Sequence, residues 1–158
     1  MADKIKVGGL IQNDQLASIS VHAMKDRPGV AAAVLDALGQ QNLNVQFVVQ
    51  VIDHEENDQM VLCIDRADLD RSLRAIDALR GDLQPEAVVA KPEVSSVAIF
   101  GPDFRERPGI AGRMFRALAS CGINILAIST SISTVNCIID SNKLKEAVAA
   151  LCEAFDVP

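Results

Sequence analysis

Apolar and polar residues alternate from Ala17 to Ala23, with Ala17, Ile19, Val21 and Ala23 set against Ser18, Ser20 and His22. This period of two predicts a half-buried strand. The period then lengthens. Val30, Val34, Leu35 and Leu38 recur at helical spacing, so a helix with one apolar face follows. Leu43 to Ile52 and Gln59 to Ile64 predict two further strands, joined by a long polar turn from Asp53 to Asp58. Leu69, Leu73, Ile76 and Leu79 mark a second helix, and Pro85 to Ala90 a closing strand. Ahead of all this, Ile5, Val7, Leu10 and Ile11 predict a short strand over 4–12, ending in a polar Asn13-Asp14-Gln15 turn.

The same order then recurs. Val97, Ile99 and Gly101 answer to the first alternating strand, and Ile110, Met114, Phe115 and Leu118 to the first helix. Ile123 to Thr130 and Thr134 to Ile139 form the next hairpin, and Leu144, Val148, Leu151 and Phe155 the second helix. The residues repeat as well as the pattern. Asp26-Arg27-Pro28-Gly29-Val30-Ala31-Ala32 is matched 80 positions later by Glu106-Arg107-Pro108-Gly109-Ile110-Ala111-Gly112, and Asn42-Leu43-Asn44-Val45 by Gly122-Ile123-Asn124-Ile125. Beyond the hairpins the offset falls to 75, where Ile64-Asp65 meets Ile139-Asp140. The chain is an internal duplication.

Each repeat reads as a ferredoxin-like βαββαβ unit of an α+β fold. The second reaches Pro158 without room for a closing strand, which would leave an edge of unpaired backbone groups. The unduplicated strand over 4–12 is the spare that fills it. The first unit, 15–91, is thus expected to be inserted into the second, 92–158 plus 4–12. Pro28 and Pro108 fit the first turn of each helix, and Asn42 and Gly122 fit left-handed helix ends.

Composition narrows the function classes. The 158 residues are 49% apolar, with no Trp or Tyr and five Phe, so the core is aliphatic. Units of about 75 residues bury little surface alone, so an interface is expected. A formal charge of −6 argues against a nucleic-acid partner. No apolar run approaches a membrane span and the first residues lack a signal-peptide core, so a cytoplasmic protein is expected. Cys63, Cys121, Cys137 and Cys152 are far apart among aliphatic residues and read as small buried hydrophobes rather than disulfides or metal ligands.

No catalytic constellation stands out. Ser129, Thr130, Ser131, Ser133 and Thr134 cluster at the second hairpin without a histidine of their own and read first as turn and strand-edge residues. His54, beside Glu55, Glu56 and Asp58, reads as part of a solvated turn before a weak metal site, and His22 as a surface or interface residue. Lys6-Val7-Gly8-Gly9 lacks the following helix of a phosphate loop, so Gly8 and Gly9 point to close packing or a bulge. No metal and no cofactor are expected.

The paired turn carries the binding reading. Backbone N–H groups at a helix start favour a carboxylate. The carboxylates of Asp26 or Glu106 and the amides of Asn44 or Asn124, each at the start of a neighbouring strand, suit an ammonium, and together the groups suit a zwitterion. The candidate residues are Asp26, Arg27, Pro28, Gly29, Val30, Ala31, Asn44 and Val45, with Glu106, Gly109, Ile110, Ala111, Asn124 and Ile125 in the second copy. Gln50 and Thr130, at equivalent positions farther along, are placed to read a ligand's side chain. The plainer alternative is that Asp26 caps its helix and Asn44 fixes a turn. Along one strand Val45, Phe47, Val49 and Val51 share a face while Val48 points away, and Leu126 and Ile128 repeat this two-sidedness. Such a sheet needs cover, which a symmetric homodimer provides.

These residues carry a family resemblance. Ala17-Ser18-Ile19-Ser20-Val21, Asp26-Arg27-Pro28-Gly29, Val48-Val49-Gln50, Ile128-Ser129-Thr130-Ser131 and Glu153-Ala154-Phe155 make the chain similar to the regulatory region of aspartate kinases, two amino-acid-sensing ACT domains. The resemblance implies an interleaved pair and a non-catalytic allosteric module that binds lysine, threonine or both at interfaces between ACT units, near Asp26, Asn44, Gln50, Asn124 and Thr130. It implies a kinase catalytic domain or subunit as partner, encoded by a separate preceding segment. A stand-alone amino-acid sensor serving another enzyme or transporter, and a dimerisation module with decayed sites, are the alternatives. Two positions depart from the family. Its glutamate after Ile-Ser-Thr-Ser is Ile132 here, and the asparagine after its glutamine is Val51.

Overall fold

The computed structural model describes residues 3–158. The chain divides into two compact units, Gln15–Glu93 and a second made of residues up to Asp14 with Val94–Pro158. The strands are β1 (Ile5–Lys6), β2 (Gly9–Lys25), β3 (Val45–Ile52), β4 (Asn57–Asp65), β5 (Ala87–Phe100), β6 (Ala127–Thr130), β7 (Thr134–Asp140) and β8 (Phe155–Asp156). The helices are α1 (Val30–Gln40), α2 (Leu69–Asp77), α3 (Arg80–Leu83), α4 (Ile110–Ser120) and α5 (Leu144–Ala154). Both units are α+β, with the first inserted into the second.

In the unit Gln15–Glu93 the sheet runs β3-β4-β2-β5. Ala17, Ile19 and Val21 of β2 lie against Ile64, Leu62 and Met60 of β4. Val30, Val34 and Leu38, four residues apart on one face of α1, complete that core with Ile76 of α2 and Leu83. In the other unit the order is β2-β5-β7-β6, and Ile110, Met114 and Leu118 of α4 cover Val97, Ile99, Val135, Cys137 and Ile139.

Several sequence expectations are corrected. Asn13-Asp14-Gln15 makes no turn, because β2 runs unbroken for 17 residues through it. The closing strand over 85–90 likewise continues as β5 through Lys91-Pro92-Glu93 to Phe100. Polar residues in a long strand are tolerated wherever one face meets solvent, so composition alone placed false breaks there. The N-terminal strand completes its unit in pieces. Ile5 pairs in parallel with Phe155, Val7 N–H donates to Asp156 O at 3.0 Å, and Gly8 N–H to Phe100 O at 2.7 Å. Phe155 therefore belongs to a two-residue strand and not to the last helix, although it is fully buried. Ile123 to Ile125 precede β6 rather than joining it.

Two irregularities shift faces. Ala23, at φ 53, sits in a bulge between Val21 and Met24, so Met24 takes the buried place expected of Ala23. A second shift between Val45 and Phe47 sets Val45 opposite Ile64 and Val48 opposite Leu62, both on the helix-covered face, with Phe47 opposite Cys63 on the other. Val45 and Phe47 do not share a face. Gly9 serves close packing, since a Cβ there would stand 2.7 Å from the Phe100 ring. Of the cysteines, Cys63 and Cys137 are buried, with thiols pushed up to about 12 by desolvation, whereas Cys121 and Cys152 are exposed at a helix end and on a helix surface.

Both prolines lie outside the helices. Gly29 (φ 99, ψ −2) and Gly109 (φ 89, ψ 0) precede Val30 and Ile110, so Arg27-Pro28-Gly29-Val30 is a type II turn with proline second and glycine third. Val30 N–H closes it weakly on Arg27 O at 3.4 Å. Left-handed backbone at a residue with a Cβ costs about 1–2 kcal/mol. No atom lies within 4 Å of a Cβ placed on Gly29 or on the helical Gly39. Gly29→Ala should therefore lower stability by that conformational amount, and Gly39→Ala should raise it by roughly 0.5–1 kcal/mol. Denaturant midpoints of the two variants check this, and shifts of the same sign would contradict it.

Candidate functional site

In a unit of this kind β2 leads into α1, and α1 carries the chain back along the sheet to the start of β3. The pairing register fixes the consequence. Val45 at the start of β3 lies opposite Ile64, which lies opposite Ala17, whereas Ile52 at its end lies opposite Asp58, which lies opposite Met24. The eight residues of β3 span roughly 25 Å. Asn44 and Val45 are therefore at the opposite end of the unit from Asp26 and the Pro28-Gly29 turn. The other unit repeats this separation: Thr130 lies opposite Val135 beside the Phe100–Thr134 pair, with Glu106 close after Phe100, and Asn124 and Ile125 precede the far end of β6. One unit's helix start and its own asparagine do not form a common pocket, which overturns that part of the sequence expectation. The spacing of Asp26 and Asn44 in sequence shows that a helix separates them, and its direction decides the matter.

What the structure does bring together is Asp26, the turn Arg27 to Val30, Gln50 and a residue the binding reading did not name, Asp58. Asp58 is completely buried although it ends a polar run. The solvated turn is only Asp53 to Glu56. There Asp53 Oδ1 accepts from Glu55 N–H (2.8 Å) and Asn57 N–H (3.0 Å), and Oδ2 from Gln59 Nε2 (2.8 Å). These bonds, that from Asn57 first, hold the Asp53 carboxyl below its usual range. Asp58 already belongs to β4, opposite Met24 on the helix-covered face. No pattern marked it as buried, since Asn57-Asp58-Gln59 is polar throughout.

The Asp58 carboxyl has one donor. Gln50 Nε2 donates to Oδ1, while Oδ2 is shut from solvent without a hydrogen-bond partner. The carboxyl of Asp26 lies beside it, close enough for the two to hydrogen-bond once a proton sits between them. Two ionised carboxylates supply acceptors and no donor. Burial chiefly, and Asp26 after it, raise the Asp58 pKa above the ordinary value, against the lowering effect of Gln50. Asp26 does not cap α1, which has no side-chain cap. Val30 N–H reaches Arg27 O only weakly and Ala33 N–H donates to Gly29 O, which leaves the Ala31 and Ala32 N–H groups as the donors without a side-chain cap beside an acidic pair. Arg27 is turned to Asp82 at 2.8 Å, an exposed pair of small energetic weight.

The second copy is built differently. Glu106 N–H and Arg107 N–H both donate to Asp103 O at 3.1 Å, and Gly109 starts α4 without a side-chain cap. At the repeat's later offset Asp58 corresponds to Ser133, so no second carboxyl faces Glu106 from that hairpin. Ser131 N–H donates to Thr134 O at 2.8 Å, making this segment a tight turn. Elsewhere in that unit a cavity of about 520 Å³ is lined by Gln12, Asp14, Leu144, Lys145 and Val148, none of them a candidate residue. Among the described residues no helix is long and apolar enough to cross a membrane, and no three His, Cys, Asp or Glu converge as a metal site.

A carboxyl that is harder to ionise in the folded chain than in the unfolded one favours folding at low pH. Stability from Asp58 is full below the ordinary aspartate pKa and is lost as pH rises through its raised folded value. Melting temperatures followed from acid pH upward should show this decline in the parent and its absence in Asp58→Asn. An identical profile in both would contradict it.

Comparison with known proteins places this geometry. Residues 17–81 match the ACT domain, and residues 97–155 match a second ACT-domain model. The chain is 30% identical over 151 residues to an aspartate kinase of Stutzerimonas stutzeri, covering 96% of this chain and 37% of that protein. It therefore spans about a third of the length of the curated relatives it matches. Against the ligand-free regulatory subunit of aspartate kinase from Thermus thermophilus the TM-score is 0.86 at 28% identity, covering 94% of this chain and 98% of that one. Against the aspartate kinase of Synechocystis it is 0.91 at 30% identity, covering 96% and 27%. The chain belongs to the ACT-domain family, as a tandem pair of the kind that forms aspartate kinase regulatory regions.

Proposed function

We propose that this chain is an allosteric regulatory module without a catalytic site of its own, that it binds a small amino acid, with lysine and threonine the favoured effectors, and that it serves an aspartate kinase catalytic domain or subunit. One observation carries the reading: an uncapped helix start stands beside a carboxyl pair and a glutamine in the unit Gln15–Glu93. Open N–H groups suit a ligand's carboxylate and the acidic pair suits its ammonium. Gln50 keeps its carbonyl oxygen for a ligand hydroxyl or side-chain ammonium. Asn44 and Asn124, remote from the turns of their own units, belong in this reading to sites completed by an ACT unit of a partner chain. Binding regulates only if one arrangement of the assembly binds the effector better than another.

The edges favour a homodimer. The outer strand β3 exposes Val48, Val51 and Ile52, and β6 with the turn after it exposes Ile128 and Ile132, the last at 68%. An apolar outer strand with unpaired backbone groups is a surface another chain covers. The same residues support the second reading, a dimerisation module whose ligand sites have decayed.

Calorimetric titration with lysine, threonine, methionine and the branched amino acids separates the two. A binding heat from lysine or threonine is expected. Asp26→Ala should weaken it at least tenfold, since a hydrogen bond to a charged group is worth about 1.5–3 kcal/mol. Glu106→Ala should weaken it less. No heat from any amino acid, with a dimer still formed, would establish the dimerisation reading instead.

A further inference from the structure

Asp58 has a role that the effector reading does not require. Its side chain is fully buried, one oxygen is taken by Gln50, and the other has no partner although the protein closes it off from water. A buried acceptor left this way is costly unless something donates to it. The groups that act on this carboxyl are few. From the turn after β2 comes Asp26, and from β3 the neutral amide of Gln50. On the adjoining strand Lys25 lies opposite Asn57, Arg27 is paired with Asp82, and Asp53 is held within its own turn. No cation neutralises the pair among these.

We infer that Asp58 is a positioning and specificity-determining residue for the effector: it aims Gln50, and its unpartnered oxygen, beside the Asp26 carboxyl, is the acceptor that the ligand's ammonium satisfies. The inference rests on the effector reading above. Its charge balances. Where Asp58 holds a proton in the empty site, an arriving ammonium brings one positive charge, that proton leaves to water, and the carboxylate then accepts from the ammonium. Displacement of that proton makes binding tighten as pH rises through the titration of Asp58 and level off above it. A neutral isostere of an amino acid, lacking the ammonium, gains nothing from this exchange.

The experiment follows the Asp carboxyl carbons by NMR across pH in the intact chain, in Asp58→Asn and in Asp26→Asn, with and without lysine or threonine. Calorimetry in two buffers of different ionisation enthalpy counts the protons released. In the free protein Asp58 should titrate above the ordinary carboxyl range and return toward it in Asp26→Asn. Bound effector should pull it down and release up to about one proton per site. Asp58→Asn keeps an acceptor for Gln50 while removing the charge, so it should fold, bind about tenfold or more weakly and release no proton. Ordinary titration of Asp58 in the free chain overturns the inference, as does unchanged affinity and proton count in Asp58→Asn. Effector binding that leaves the Asp58 titration unmoved overturns the exchange alone and spares the effector reading. Absence of binding by either amino acid overturns both.

Discussion

A helix joining two neighbouring strands must carry the chain back along the sheet, and the groups at its two ends are thereby separated by its length. Helix α1 has 11 residues, or about 16 Å of rise. Everything at its start, the Pro28-Gly29 turn and Asp26, is grouped with whatever ends β3 and begins β4, namely Gln50, Ile52 and Asp58. Everything at its end, Asn44 and Val45, is grouped with Leu16 and Asp65. The duplication imposes the same division on Glu106 and Asn124. Two conspicuous repeated elements thus sit at opposite ends of each unit.

The duplication is exact in packing and inexact in charge. Val30, Val34 and Leu38 reappear as Ile110, Met114 and Leu118 with the same burial, because the face of the helix toward the sheet is fixed by close packing. The hairpins face fewer constraints. The longer turn of the first unit places Asp58 inside β4 against Asp26, and the shorter one of the second ends in Ser133. On the proposed reading, the unpartnered oxygen of this acidic pair is what gives the first unit a use for an ammonium.

Much of the fold was legible because it rests on periodicity. The helical spacing of α1 and α4 and the alternation in β2 each report a face that must be buried, and the repeat supplies an independent check on both. The interleaving followed from counting strands. What stayed hidden were features without a period. Asn13-Asp14-Gln15 has turn composition but lies in a strand, and Pro28 looks like a helix residue but belongs to the turn made by Gly29's positive φ. Bulges at Ala23 and beside Phe47 reassign faces that strict alternation misplaces. Of the candidate site, Asp26 and Gln50 were legible from the repeat and do lie at one end of their unit. Asp58 was hidden in an acidic run, where a buried carboxylate and its solvated neighbours look alike.

The central claim is that an amino acid docks where the first turn of α1 meets the Asp26–Asp58 pair and Gln50. The most direct measurement is a map of amide and side-chain NMR shifts as threonine or lysine is added to the labelled full chain. The account predicts that Gly29, Val30 and Ala31 amides, the Gln50 side-chain amide and the Asp26 and Asp58 carboxyls move together along one saturating curve. Saturable shifts confined to the cavity of Gln12, Lys145 and Val148, with the Asp26 end unmoved, would contradict it.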